Sequence, residues 1–155
     1  MQTPSQLSIY VRMIVCMIGL LLPLLVIAIS GEYRPSVSNY FYTSAGPFLI
    51  FSLGLISYTM MQEKTWVPSG VLLAMVAIFP NVDYPYIHNI SAIVFFIIST
   101  AAITFDKRYR WMGFVMMASS FLTIHSLMLA ESVLIPMISA YHLHRLSVIQ
   151  KILKR

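Results

Sequence analysis

The sequence predicts an all-α fold: a polytopic transmembrane helical bundle with six spans. Three observations point there. The chain is 59% hydrophobic and only 10% charged, whereas a soluble domain carries roughly 45–50% apolar and about 25% charged residues. Its mean hydropathy is +0.81, which leaves too little polar surface to cover a core in water. Apolar runs of near-spanning length alternate with short polar or basic segments along the whole chain, as helices crossing a bilayer require.

The elements follow in order, given that a span needs about 20 mostly apolar residues. The first run, residues 9–30, has Pro23 near its middle, where a helix loses one hydrogen bond and kinks. Its apolar stretch 13–29 resembles a signal peptide in ending on small residues, but it is long for one and only Arg12 precedes it, so an uncleaved span is expected. Residues 31–45 form a polar, Tyr-rich loop, and residues 46–61 the second span. Trp66 after it suits a membrane interface, and Pro68 suits the start of a third, short span over 68–79. A loop with two prolines, 80–86, leads to a fourth span over 87–105. The most basic loop, 106–110, precedes Trp111.

Residues 111–145 admit two readings. One is a fifth span followed by an amphipathic surface helix. The other is two spans, 110–124 and 126–146, turning near His125 and Ser126, with Ser126 as N-cap. No Gly or Pro marks that turn. The distribution of basic residues decides. With five spans, Arg12, Lys64, Lys107, Arg108 and Arg110 share the N-terminal side (side A), against Arg34, Arg145, Lys151, Lys154 and Arg155 on side B. With six, the last four return to side A and only Arg34 stays on side B. Basic residues concentrate on the cytoplasmic side, so six spans with both termini cytoplasmic, in the inner (plasma) membrane, are expected.

The whole chain, 1–155, reads as one transmembrane domain ending in a basic amphipathic cytoplasmic tail, 146–155. The net charge of +5 then serves orientation and attraction to anionic lipid. No aromatic-basic pattern suggests nucleic acid. Membrane lipids are the expected partners, with a partner membrane protein or a second copy also compatible. Cys16, the single cysteine, excludes an intrachain disulfide. No GxxxG pair occurs.

Topology brings Glu32, Arg34, Asp83, His88, His125 and Glu131 to side B, with Tyr33, Tyr40, Tyr42, Tyr84 and Tyr86. Ionisable groups in or near spans are costly and therefore functional candidates. The candidate ligand-binding set is Arg34, Tyr40, Tyr42, Asp83, His88, Ser91, His125 and Glu131. Arg34 would pair with Glu131 or Asp83, or clamp an anionic head group. Zinc on Asp83, His88, His125 and Glu131 is chemically suited, though no HxxxH or HExxH spacing occurs. Haem between His88 and His125 and a Ser91–His88–acid relay are weaker alternatives, and neither a catalytic residue nor a metal ligand is assigned. His142 and His144, two apart, fall on different helix faces and read as interface histidines. The basic side A reads as plain anchoring.

Function is expected to be recognition of a lipid, small ligand or partner at the extracytoplasmic face by a binding or accessory subunit. An intramembrane metal-dependent lipid hydrolase and a transport or pore subunit are the alternatives.

The segment Ser36-Val-Ser-Asn-Tyr-Phe-Tyr-Thr43, the span end Ile78-Phe79-Pro80 and His88-Asn-Ile-Ser-Ala92 before Phe95-Phe96 resemble a group of small bacterial membrane proteins of unknown function. Those have a Ser-x-Tyr-Tyr-x-Thr loop, a Phe-Pro span end, a His before the fourth span and an acidic residue opening the last, which Glu131 matches. The chain is more distantly similar to the Frag/DRAM/Sfk-like six-span proteins. Phe41 interrupts the usual Tyr-Tyr. The resemblance implies six spans and a shared outer-face motif, and it implies no activity.

Overall fold

The computed structural model describes residues 6–124 and 126–153. Among them all regular structure is helical: six α-helices joined by short links, three of which contain a 3-10 turn. The helices are α1 (Gln6–Ser30), α2 (Gly46–Met61), α3 (Val67–Ile78), α4 (Pro85–Phe105), α5 (Arg110–Ser120) and α6 (Leu127–Leu153). Their starts and stops have local causes. Pro47, Pro68 and Pro85 occupy the first turns of α2, α3 and α4, where a missing N–H costs nothing. Gly31 stops α1 in the left-handed region at φ 72°, its N–H bonding Ile27 O at 2.9 Å.

Residues 111–145 divide into two helices. The chain tightens into a 3-10 turn at Phe121–Ile124, and Ser126 N donates to Leu122 O at 2.8 Å. Ser126 Oγ accepts from Leu129 N at 3.3 Å, the N-cap expected of it. Met128 N donates to Pro35 O at 2.9 Å, so the 31–45 loop satisfies a second open donor of α6. These bonds let the chain turn without Gly or Pro. The basic tail continues the last helix: α6 runs on to Leu153, and Leu146 packs with Ile9 and Cys16 of α1.

Consecutive helices run antiparallel, each against its neighbours in sequence, and α6 closes the bundle on α1. Small residues set the close approaches. Gly70 lies so near α2 that a Cβ there would sit 2.9 Å from Ser57 O, and Ser57 Oγ donates to Gly70 O at 2.8 Å. Gly113 abuts Thr104, with 2.8 Å from a would-be Cβ to Thr104 Cα. Ser69 and Ser99 join α3 to α4. The small residues therefore serve contacts inside one chain. The core centres on Leu22, Tyr40, Leu49, Met60, Trp66, Ile103, Met116 and Met128. Trp66 is thus a core plug, 1% exposed against Tyr141 and His142, and not the interface residue expected.

Candidate functional site

Side B carries the expected polar residues, but they divide into three separate groups. Arg34 pairs with Glu32 in an exposed contact, so its expected partners Glu131 and Asp83 are not its partners. Two positions apart on one loop, Glu32 is the nearer carboxylate. Asp83 accepts from Tyr42, another exposed pair that ties the 31–45 loop to the α3–α4 link. This bond raises the Tyr42 phenol above its ordinary value, with lesser contributions from burial and the Asp83 charge.

Tyr40 is fully buried: its hydroxyl donates to Glu32 O at 2.9 Å and accepts from Arg34 N at 3.0 Å. It pins the loop. Ser91 is buried with its hydroxyl toward Met75 Sδ at 3.9 Å, so no Ser91–His88 relay forms. His125 lies outside the described residues.

The third group is His88 with Glu131. His88, in the first turns of α4, is 2% exposed. Its Nδ1–H donates to Phe79 O at 2.8 Å, because a carbonyl can only accept. In the neutral ring Nε2 then carries the lone pair. Glu131, one turn into α6, is 8% exposed and accepts from Val37 N at 2.6 Å through Oε2. Its Oε1 has no hydrogen-bond partner among the described residues.

Both residues line an interior cavity of ≈ 50 Å³ with Val37 and Ser38 among its polar-end residues and Leu53, Leu73 and Phe95 among its apolar walls. Both also line a groove of ≈ 510 Å³ between α4 and α6, reached past Ala92, Ala130 and Leu134. The groove exists because α4 and α6 touch little, and the alanines leave room between them. Of the four residues considered for zinc, the structure brings together His88 and Glu131 and leaves Asp83 bonded to Tyr42. Among the described residues no three His, Cys, Asp or Glu side chains gather as a metal site.

Side A holds a cluster that sequence reasoning treated as plain anchoring. Glu63, between α2 and α3, accepts from Arg12 at 2.8 Å and from Arg145 at 2.7 Å, one oxygen each. His142 Nδ1 lies 3.8 Å from Glu63 Oε1, and the ring packs edge-on to Trp66 at 4.3 Å. Burial pushes the Glu63 carboxyl up, but His142, Arg145 and Arg12 more than reverse this and hold it below the usual carboxylate range. His142 is therefore a core histidine, 4% exposed. His144 is the outer one, its Nδ1 2.6 Å from the Tyr109 hydroxyl. The available signal was arithmetic: Glu63 is the only acidic residue between Asp83 and Glu32 in the chain, set among cations.

The fold and site define an all-helical bundle with an apolar lateral groove whose lining includes the buried His88 and Glu131 side chains. The chain belongs to the family described as "Family of unknown function (DUF7103)", whose model matches residues 64–150. The match takes in His88, the α4 groove wall and Glu131, and stops short of the 31–45 loop and Glu63. No curated protein and no solved structure matches the chain.

Proposed function

We propose that this protein is a six-span integral membrane protein of the inner (plasma) membrane, with both termini cytoplasmic, and that it binds lipid through the groove between α4 and α6. It acts as a binding or accessory protein at the extracytoplasmic side, not as a catalyst. The observation that carries this reading is an apolar groove that opens sideways and ends on buried His88 and Glu131. A lateral opening admits molecules dissolved in a bilayer, and buried polar groups at one end fix an amphiphile's orientation.

The outer surface supports the membrane setting. Leu7, Ile14, Leu24, Phe51, Ile93, Ile97 and Phe105 each expose more than half their surface. A soluble monomer rarely exposes so many large apolar side chains. The α1 and α4 helices have the length and composition of spans. The 12 residues of α3 and 11 of α5 rise only about 16–18 Å, short of a core roughly 30 Å thick. The flanking 3-10 turns Lys64–Trp66 and Phe121–Ile124 lengthen both. Exposed Tyr33, Tyr84 and Tyr86 on side B and Trp111 on side A suit the two interfaces.

The test has two parts. Single cysteines placed at Tyr33 and Val82, in a Cys16→Ser background, are labelled from outside intact cells with a membrane-impermeant maleimide. Both react from outside if the reading holds; labelling from opposite compartments overturns it. The protein purified in mild detergent is then extracted for lipid, beside Ala92→Phe, which fills the groove. Equal lipid retention by both rejects the groove as the binding place.

A further inference from the structure

We propose, resting on the lipid-binding reading above, that the occupant is a single-chain lipid with an uncharged hydroxyl head group. The head sits at His88 and Glu131, and the chain lies along α4 toward side A. Two features of the groove lead there.

The first is its length. The space between α4 and α6 does not end at mid-bundle. It shares Phe96, Ile97 and Ser120 with a second space of ≈ 390 Å³ between α4 and α5, which reaches Thr104 and Phe105. The two form one trough along α4 from His88 to Phe105, about 25 Å long at the rise of an α-helix. Its walls are α4 on one side and α6, then α5, on the other. It closes at side A, where Gly113 of α5 abuts Thr104. A single extended chain of about sixteen carbons runs the length of such a trough.

The second is the chemistry of its polar end. Among the described residues, no Lys or Arg lines either space. Arg34, the side B cation, is held by Glu32. An anionic head, phosphate or carboxylate, would find no counter-charge there and would face the Glu131 carboxyl. What the site offers is hydrogen bonding in both senses. Glu131 Oε1 and the neutral His88 ring can accept. Asn89 can donate or accept, and the Ser38 hydroxyl, which shares a hydrogen bond with Ser36, keeps further capacity to accept. A hydroxyl is the head group that both donates and accepts without bringing a charge into an apolar wall.

The experiment uses the full chain in nanodiscs of uncharged lipid. Three photoreactive probes share one hexadecyl chain carrying a diazirine and differ in the head: alcohol, carboxylate or primary amine. Labelling is mapped to peptides. The alcohol is expected to label α4 and α6 about tenfold more than the carboxylate, the scale of one hydrogen bond to a charged or buried partner. Unlabelled hexadecanol should compete, and Ala92→Phe should abolish labelling; should that variant misfold, the competition alone carries this control. Carboxylate labelling equal to the alcohol's, or amine labelling above it, overturns the head-group assignment while the groove remains a lipid site. Labelling by all three that neither competitor nor variant reduces overturns the lipid-binding reading itself. Glu131→Gln keeps an acceptor and should retain alcohol labelling; loss there also counts against the assignment.

Discussion

Glu131 Oε2 accepts the Val37 N–H at 2.6 Å, joining α6 to a loop 94 positions away in sequence. A few residues off, Pro35 O accepts the Met128 N–H at 2.9 Å. The two bonds run in opposite senses, so loop and helix each satisfy an open backbone group of the other. Replacing Glu131 by Ala leaves a buried N–H unpaired at a cost of about 1–3 kcal/mol. The expected outcome is a lower Tm in detergent and faster proteolysis within residues 31–45. Glu131→Gln retains a side-chain carbonyl for Val37 and should lose much less. An unchanged Tm in Glu131→Ala would mean that the clip contributes nothing.

Glu63 gives the side A cluster a pH dependence of definite sign. Its folded-state carboxyl lies below its ordinary value because the lift from burial is outweighed by His142, Arg145 and Arg12. The unfolded chain therefore takes up the proton first as pH falls. The stabilisation is complete above the ordinary value, 4.5, and is lost as pH falls through the lower folded value. Thermal melts from pH 7 downward should show a loss of Tm that Glu63→Gln largely removes. At pH 7 Glu63→Ala should cost about 2 kcal/mol, less than a fully buried pair would, since water reaches Arg145. A variant whose melts parallel the wild type at every pH would remove the cluster from the stability of the fold.

The helical class and most helix boundaries were written in the lengths of the apolar runs and in their punctuation. The second helix runs 46–61 as the apolar run suggests, and Pro47, Pro68 and Pro85 mark three starts. The turn at residue 126 was legible only through the balance of basic residues, because its cause is tertiary: the Pro35 carbonyl that caps Met128 comes from a distant loop. Partnerships were less legible than positions. Topology brought Arg34, Asp83 and Glu131 to one end, yet which carboxylate meets which donor depends on distances of a few ångströms. Arg34 takes Glu32, and Asp83 takes Tyr42. Trp66 and His142 were misread for one reason. Amphipathic aromatics at a helix end suit an interface or a core equally, and only packing against Glu63 and Tyr141 distinguishes them.

Two glycines on one helix should respond oppositely to alanine. Gly46 opens α2 directly against the backbone of the preceding turn, and a Cβ there would lie 2.8 Å from the Phe41 carbonyl carbon. Backbone cannot move aside as a side-chain tip does, so Gly46→Ala should displace the Phe41 turn and lower Tm by several degrees. Gly54 faces open space with nothing within 4 Å of a Cβ. There alanine gains helix propensity, about 0.5–1 kcal/mol in favour of folding. Parallel melts of the two variants check both signs. A tolerated Gly46→Ala would contradict the tight entry into α2.

The Tyr42–Asp83 pair should behave as a titratable pin between two loops. The phenol donates to the carboxylate, and ionising it would both break that bond and set two negative charges side by side, so its value lies above the ordinary 10.0. A raised folded value means that the bond's contribution is present below pH 10 and fades as pH rises through the folded value. The ultraviolet phenolate titration of wild type minus that of Tyr42→Phe isolates this one group. Its midpoint should fall toward the ordinary value in Asp83→Asn, which removes the charge and keeps the shape. At neutral pH both variants should leave Tm nearly unchanged, because the pair is exposed and water replaces the lost bond. A midpoint that Asp83→Asn does not move would mean that the two side chains do not meet in solution, and that the 31–45 loop is held by Glu131 and Pro35 alone.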